Sequence, residues 1–169
     1  MNKLNFLKDA PILAGISEED RHELDKICQS REIKIHERLF SRNENAATFY
    51  IIIKGKFSLT LVITAAGKQE EIVIDIKTTG ESLGWSAMVE PHRYIYSVNS
   101  LLEGTVLAFS GPEMLELFNS NKELGFKFYR NLNNLIGGRV HILQGLLIEE
   151  IEGSMDRVKY WLKKKYVYK

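Results

Sequence analysis

Between Arg31 and Phe109 hydrophobic residues recur at every second position in short runs, which is the spacing of β-strands with one buried face. Turn-forming sequences separate the runs at residues 43–45, 54–55, 66–68, 79–80 and 103–104. The alternating residues are Ile33 and Ile35; Phe57, Leu59, Leu61 and Ile63; Ile72, Ile74 and Ile76; Tyr94, Tyr96 and Val98; and Thr105, Leu107 and Phe109. Many short strands at this spacing predict a β-sandwich or barrel.

Helical patterns flank the strands on both sides. Ser17 precedes three acidic residues, as at a capped helix start, and Leu24, Ile27 and Cys28 give that helix one apolar face to about Ser30. After Ser110 the period becomes helical again, with Pro112 in a position that suits a first turn. The sequence predicts a short helix ending near residues 119–121 and a longer one over about 122–151.

The long helix carries two adjacent apolar seams, a wider stripe than a helix needs to lie on a barrel. A second copy of the same helix is the simplest partner, so the sequence predicts a homodimer. Gly137 and Gly138 within the helix are explained either by close approach of two helices or as a weak point. The seams are Leu132, Leu135, Arg139, Ile142 and Leu146, and Ile136, Val140, Leu143 and Leu147.

Composition is that of an ordinary globular protein of one domain: 169 residues, 44% hydrophobic and 27% charged. No apolar run approaches the ~18 residues of a membrane span, and Lys8 and Asp9 interrupt any signal-peptide core, so we expect a cytoplasmic protein. The single cysteine, Cys28, cannot form an internal disulfide. The four histidines lack metal-ligand spacing, and we expect no metal and no cofactor.

Charge divides the chain unevenly. Residues 153–169 contain six Lys or Arg against Asp156 alone, a net charge of +5, whereas the whole chain carries +1. The rest is therefore acidic, at −4. We separate a folded region, residues 1–151, from a basic tail, residues 152–169, which is either a segment with its own role or a solvated end.

One sequence stands out among the strands: residues 80–98, Gly-Glu-Ser-Leu-Gly-Trp-Ser-Ala-Met-Val-Glu-Pro-His-Arg-Tyr-Ile-Tyr-Ser-Val. Together with Leu-Ala-Gly-Ile-Ser-Glu-Glu-Asp at 13–20, Glu-Arg-Leu-Phe at 37–40 and Phe-Tyr-Ile-Ile-Ile-Lys-Gly-Lys-Phe at 49–57, it resembles the cyclic nucleotide-binding domain family. The resemblance covers roughly residues 10–150 and is to the N-terminal sensor domain of catabolite activator-type bacterial regulators. The Gly-Trp-Ser-Ala sequence resembles that of a divergent bacterial subgroup.

The resemblance implies a mainly β fold with flanking helices, a double-stranded β-helix or jelly roll with an N-terminal helix and a long C-terminal dimerisation helix. In the family a Phe-Gly-Glu-x-Ala turn offers backbone N–H groups to the cyclic phosphate, and its Glu accepts from the ribose. An Arg before the next strand pairs with the phosphate.

Carried over to this chain, the family's pattern is only partly matched. Leu83-Gly84 stands for Phe-Gly, and Ala87 for the small residue. Trp85 takes the place of the ribose-binding Glu, and indole cannot accept a hydrogen bond. Tyr94 takes the place of the phosphate Arg, while Arg93 is one residue out of register. Arg93 would face the opposite side of an extended strand unless the loop after Pro91 bends it back towards the site.

Both polar anchors of a cyclic nucleotide are therefore replaced. Loss of a charged hydrogen bond to phosphate costs about 2–5 kcal/mol, so we do not expect tight binding of cAMP or cGMP. Two interpretations remain: the pocket binds a different small molecule, of which a nucleotide-like one is an example, or aromatic side chains fill it. The predicted ligand-binding residues are Gly84, Trp85, Ser86, Ala87, Arg93, Tyr94 and Ser97.

No nucleophile elbow, phosphate-binding loop or carboxylate pair appears, so we expect a non-enzymatic regulatory sensor. The alternative is a catabolite activator-type DNA-binding regulator, truncated or degenerate. Residues 154–162 resemble the start of that family's helix-turn-helix, but only seven residues follow Leu162, where the motif needs on the order of 50 more. We therefore expect no specific nucleic-acid binding without a further domain.

Overall fold

Two antiparallel β-sheets form the centre of the computed structural model, which describes residues 10–65, 67–155, 159–160 and 162–163. The chain divides into two compact units, residues 1–132 and 133–169. Within the described residues the strands are β1 (Cys28–Ile33), β2 (Arg38–Phe40), β3 (Thr48–Lys54), β4 (Lys56–Ala65), β5 (Lys68–Thr78), β6 (Ser82–Leu83), β7 (Ser97–Ser100) and β8 (Gly104–Ser110). The helices are α1 (Glu18–Ile27), α2 (Gly111–Ser120) and α3 (Lys122–Gly153), with 3₁₀ turns at Pro11–Leu13 and Trp85–Met88.

The sheets have the strand orders β1-β8-β3-β6 and β2-β7-β4-β5. Consecutive strands often belong to different sheets, as in a jelly roll, and this confirms the predicted fold class. Both β3 and β8 direct buried side chains into the core. Phe49 of β3 pairs with Phe109 of β8. Burial of these side chains is the main stabilising term, at roughly 1.5–3 kcal/mol for each large one.

Two element boundaries differ from the sequence prediction. Helix α1 begins as expected, with the Ser17 side chain accepting a hydrogen bond from the Asp20 N–H, but it ends at Ile27 rather than near Ser30. Residues from Cys28 onward pair instead with β8, in the register Cys28 opposite Phe109, so the sheet rather than a further helical turn satisfies their backbone groups.

The alternating run Tyr94, Tyr96 and Val98 is not one strand. Strand β7 starts at Ser97, and the residues before it form a loop with a single bridge between Asn45 and Arg93. Side-chain alternation therefore does not govern residues 93–96.

The helices close one side of the first unit through aromatic contacts. Phe128 of α3 meets Phe49 edge-on at 5.5 Å between ring centroids and lies 4.9 Å from Phe118 of α2. Asn131, also on α3, is buried and donates to the backbone oxygens of Ile12 (3.0 Å) and Ala14 (2.8 Å). This one amide thus fixes the N-terminal 3₁₀ turn to the helix.

In the second unit, residues 133–153 continue helix α3 with most of the predicted seam exposed. The predicted basic tail falls largely on residues 156–158, 161 and 164–169, which lie outside the described residues. Among the described residues, no helix is both long and apolar enough to cross a membrane.

Replacing Asn131 by Ala should destabilise the first unit by about 2–4 kcal/mol, because two hydrogen bonds are lost and two carbonyls are left without the amide. Urea denaturation followed by circular dichroism measures the change. Asn134→Ala, on an exposed turn of the same helix, is the control and should stay within about 0.5 kcal/mol. Equal effects from both substitutions would contradict the structural role of Asn131.

Candidate functional site

The site forms around the turn that follows β6. Ser82 and Leu83 pair with Ile51 and Tyr50 of β3, and Gly84 then takes a left-handed conformation (φ +72°) before the 3₁₀ turn Trp85–Met88. A Cβ at position 84 would lie 2.8 Å from the Thr48 carbonyl oxygen and 3.2 Å from Cε1 of Tyr94. Glycine is therefore required at position 84 both by φ and by the close approach of the protein's own atoms.

Tyr94 is buried beside this glycine. Its hydroxyl donates to the Thr48 carbonyl oxygen (2.9 Å) and accepts from the Thr48 N–H (3.2 Å). Its ring stacks on Phe40 with 3.8 Å between centroids and 16° between planes. Burial, with a smaller contribution from Tyr50, raises the pKa of Tyr94 to about 12, so the phenol stays protonated and keeps its donor near neutral pH.

A short backbone ladder fixes the two loops of the site. The Asn43 N–H donates to the Tyr94 carbonyl (2.9 Å), the Tyr94 N–H to the Glu44 carbonyl (3.1 Å), and the Ala46 N–H to the His92 carbonyl (2.8 Å). Asn43 and His92 have positive φ values of 69° and 52°, a conformation uncommon for residues other than glycine. The hydrogen bond from the Ser41 N–H to the Glu44 carboxylate lowers the pKa of Glu44 and closes the turn.

A cavity of about 370 Å³ lies between these two loops and the 3₁₀ turn. This volume is near the lower end of ligand clefts in proteins. Its lining combines aromatic, charged and apolar side chains: Arg42, Asn43, Trp85, Ser86, Val89, Glu90, Pro91, Arg93, Tyr94 and Ile95.

Four of the seven predicted ligand-binding residues line this cavity: Trp85, Ser86, Arg93 and Tyr94. The other three lie close by but do not line it. Gly84 packs against Tyr94, and Ala87 is buried next to Gly111, where an added Cβ would come 3.0 Å from the Ala87 carbonyl oxygen. Ser97 is buried in β7, and its hydroxyl accepts from the Arg42 N–H at 3.0 Å.

Arg93 and Tyr94 both line the cavity, although adjacent residues of an extended strand would face opposite sides. The loop conformation of residues 91–96 removes that restriction. The Arg93 guanidinium donates to the Asn43 carbonyl at 2.8 Å, which uses one of its five N–H groups.

Sequence reasoning missed Arg42, Asn43 and Glu90 as lining residues. Arg42 and Asn43 belong to a turn about 50 residues before Arg93 and Tyr94, and the strand pairing of β2 with β7 brings the two loops together. The turn sequence Ser41-Arg-Asn-Glu-Asn is itself recognisable, but nothing in it points to residues 84–97. No cluster of three or more His, Cys, Asp or Glu suited to a metal ion occurs within the described part of the chain.

The chain belongs to the cyclic nucleotide-binding domain family, whose model matches residues 30–121. Solved structures with this fold include a cyclic nucleotide-binding domain from Methylobacillus flagellatus, with 16% identity, a TM-score of 0.73, and coverage of 87% of this chain and 81% of that one. No curated protein sequence matches the chain significantly.

Regulators have the same fold. The catabolite activator protein of Thermus thermophilus is 21% identical, with a TM-score of 0.71, covering 91% of this chain and 70% of that one. The sensor domain of the transcriptional regulator DNR from Pseudomonas aeruginosa is 14% identical, with a TM-score of 0.67 and coverage of 82% and 91%. The chain thus has a cyclic nucleotide-binding jelly roll that resembles the sensor domains of bacterial regulators.

Replacing Tyr94 by Phe should lower the free energy of unfolding by about 1–3 kcal/mol at neutral pH, because both hydrogen bonds to Thr48 are lost. The difference from the unmodified protein should shrink as the pH rises. An unfolded tyrosine ionises near pH 10 whereas folded Tyr94 keeps its proton to about 12, so its stabilising contribution is present in full below about pH 10 and is lost between about pH 10 and 12.

Urea titrations from pH 7 to 12 measure both effects. Tyr160→Phe is the matched control, since that side chain is exposed, and it should leave stability and its pH profile unchanged. A Tyr94→Phe difference that stays constant up to pH 12 would contradict the burial of this phenol.

Proposed function

We propose that this protein is a non-enzymatic, ligand-sensing regulatory module of the cytoplasm that acts as a homodimer. Its ligand would be a small molecule, different from cAMP and cGMP, bound at the turn after β6. The observation that carries the proposal is a cavity at this turn, lined by Trp85 and Arg93, beside a Tyr94 hydroxyl committed to the Thr48 backbone. The Gly-Trp-Ser-Ala sequence supports assignment to a divergent subgroup of the family.

Three features argue against a cyclic nucleotide as the natural ligand. Trp85 has no acceptor for a ribose hydroxyl, and Tyr94 is a neutral phenol where the family's Arg would meet a phosphate. The space next to Gly84 is occupied by the Tyr94 ring and the Thr48 carbonyl, the nearest atoms to a Cβ built there. A cyclic nucleotide would therefore lack both polar anchors and would find the space next to Gly84 already occupied.

The competing interpretation, a pocket filled by aromatic rings, accounts for Tyr94 and its stack on Phe40. It does not account for Trp85, which is only half-buried and lies on the open cavity together with Arg93. Tyr94 fills one part of the pocket, while the cavity lined by Trp85 and Arg93 stays open. This combination favours a protein that binds a different ligand over one that has lost ligand binding.

Calorimetric titration with cAMP and with cGMP should detect no binding tighter than about 100 μM, given the loss of two charged hydrogen bonds. Trp85→Glu combined with Tyr94→Arg should gain measurable cAMP affinity, because the variant restores both polar anchors, provided that the backbone turn at residues 84–87 keeps its conformation. Near-ultraviolet circular dichroism checks that the variant is folded, and Trp85→Glu alone, which keeps Tyr94, provides a second comparison. Micromolar cAMP binding by the unmodified protein would overturn the proposal.

The homodimer is proposed from the second half of α3. Within residues 133–153 most of the large apolar side chains of the two seams are exposed in the single chain, and they form a contiguous apolar stripe on the helix. Burying such a stripe against a second copy would remove it from water. The exposed seam residues are Leu135, Val140, Ile142, Leu143, Leu146 and Leu147, and Ile148, outside the two seams, is exposed as well.

Leu135→Asp with Ile142→Asp should convert the dimer to a monomer at tens of micromolar, because two carboxylates cannot be buried unpaired. Analytical ultracentrifugation or multi-angle light scattering measures the mass. Asn134→Asp with His141→Asp, each one residue earlier on the same helix, is the matched control and should remain dimeric. A monomeric unmodified protein at these concentrations would contradict the proposal.

A further inference from the structure

Arg42 and Arg93 are the unusual components of the cavity. They reach it from two loops about 50 residues apart, joined by the ladder between residues 43–46 and 92–94. The backbone of each is held: the Arg42 N–H donates to the Ser97 hydroxyl, and Arg93 forms the bridge with Asn45. Both arginines thus line one cavity, and the backbone of each is held in place by hydrogen bonds to a neighbouring segment.

Both guanidinium groups keep most of their donors available. Arg93 donates to a single carbonyl, that of Asn43, and the Arg42 side chain forms no hydrogen bond or ion pair with the residues that the structure describes. Glu90 lines the same cavity and pairs with neither arginine. The lining therefore carries two positive charges against one negative charge.

We infer that the cavity binds an aromatic molecule that bears an oxyanion, a carboxylate or a phosphate, with the oxyanion on Arg42 and Arg93 and the ring on Trp85. The inference rests on the proposed ligand-sensing function and names its ligand class. Guanidinium forks suit the two oxygens of such groups, and the half-buried indole of Trp85 offers a flat apolar face. A cavity of about 370 Å³ has room for one or two rings rather than a large cofactor.

The charge of Glu90 distinguishes binding of an anion from a merely structural role of the two arginines. Its carboxylate repels an anionic ligand in the same cavity and hardly affects a neutral one. Removing that charge should therefore strengthen the binding of an acid and leave its amide unchanged.

The test compares 2-naphthoate, 2-naphthyl phosphate, the neutral 2-naphthamide and inorganic phosphate. Binding is followed through the indole N–H cross-peak of Trp85 in ¹H–¹⁵N spectra, in a Trp161→Phe background that leaves one tryptophan of the two in the sequence. A ligand with about 13 non-hydrogen atoms and ordinary ligand efficiency has a Kd near 1 mM. We expect at least one of the two anions to reach this value and to bind about tenfold more tightly than the amide, with inorganic phosphate weaker than either. The arm that binds more tightly distinguishes carboxylate from phosphate.

Arg42→Gln and Arg93→Gln should each raise the Kd of the preferred anion about tenfold, and Glu90→Gln should lower it severalfold. None of the three should change the Kd of the amide. Arg130→Gln, an exposed arginine outside the cavity, is the matched control and should leave every Kd unchanged.

Two outcomes would overturn the inference, and they differ in what they leave standing. If anion and amide bind equally and the arginine variants have no effect, the oxyanion class is wrong and the ligand cavity remains. If no aromatic probe shifts the Trp85 cross-peak at about 10 mM, the cavity takes no aromatic ligand, and the ligand-sensing proposal falls together with the inference.

Discussion

The hydroxyl of Tyr94, which bonds to both backbone groups of Thr48, is the contact on which the architecture of the site depends. It ties the loop before β7 to the first residue of β3, and the ring beside it closes on Gly84 and Phe40. A phenol meets these requirements in a buried place because burial keeps it neutral. A guanidinium in the same place would need an anion to balance its charge.

That contact explains why the cavity differs from what the family's sequence pattern implies. Tyr94, a neutral ring, stands where the resemblance places the phosphate Arg, while Arg93, one residue earlier, and Arg42, from the neighbouring loop, line the cavity. We propose that these two arginines supply the positive charge that meets a ligand's oxyanion. Such a change would preserve the fold while altering what the fold recognises.

Helix α3 supports the site through contacts with the 3₁₀ turn. Tyr129 of α3 donates to the Met88 carbonyl at the end of the 3₁₀ turn, and Asn131, half a turn further along the helix, holds the N-terminal turn. The first turns of α3 therefore contact both the 3₁₀ turn of the site and the 3₁₀ turn at Pro11–Leu13, within the first unit. The same helix, in the second unit, carries the exposed apolar stripe for which we propose a second copy as partner.

The sequence by itself determined the class of fold, since strand periodicity, turn residues and helix caps are local properties that each stretch of chain expresses alone. The helix start at Ser17, the strand predicted from the alternation in β4 and the helix predicted after Ser110 are all present in the structure. It also predicts that Trp85 and Tyr94 replace the family's two polar anchors, because the hydrogen-bonding capacity of each side chain follows from the residue type alone.

Only the tertiary structure decided which side chains share the cavity. Alternation predicted that Arg93 and Tyr94 face opposite ways, yet both line it, because their loop pairs with residues 43–46 instead of continuing β7. Arg42 was invisible as a site residue for the same reason: its neighbours are set by hydrogen bonds to residues more than 50 positions away. Local sequence specifies period and turn, whereas the approach of two loops follows from how the sheets pair, which depends on the whole chain at once.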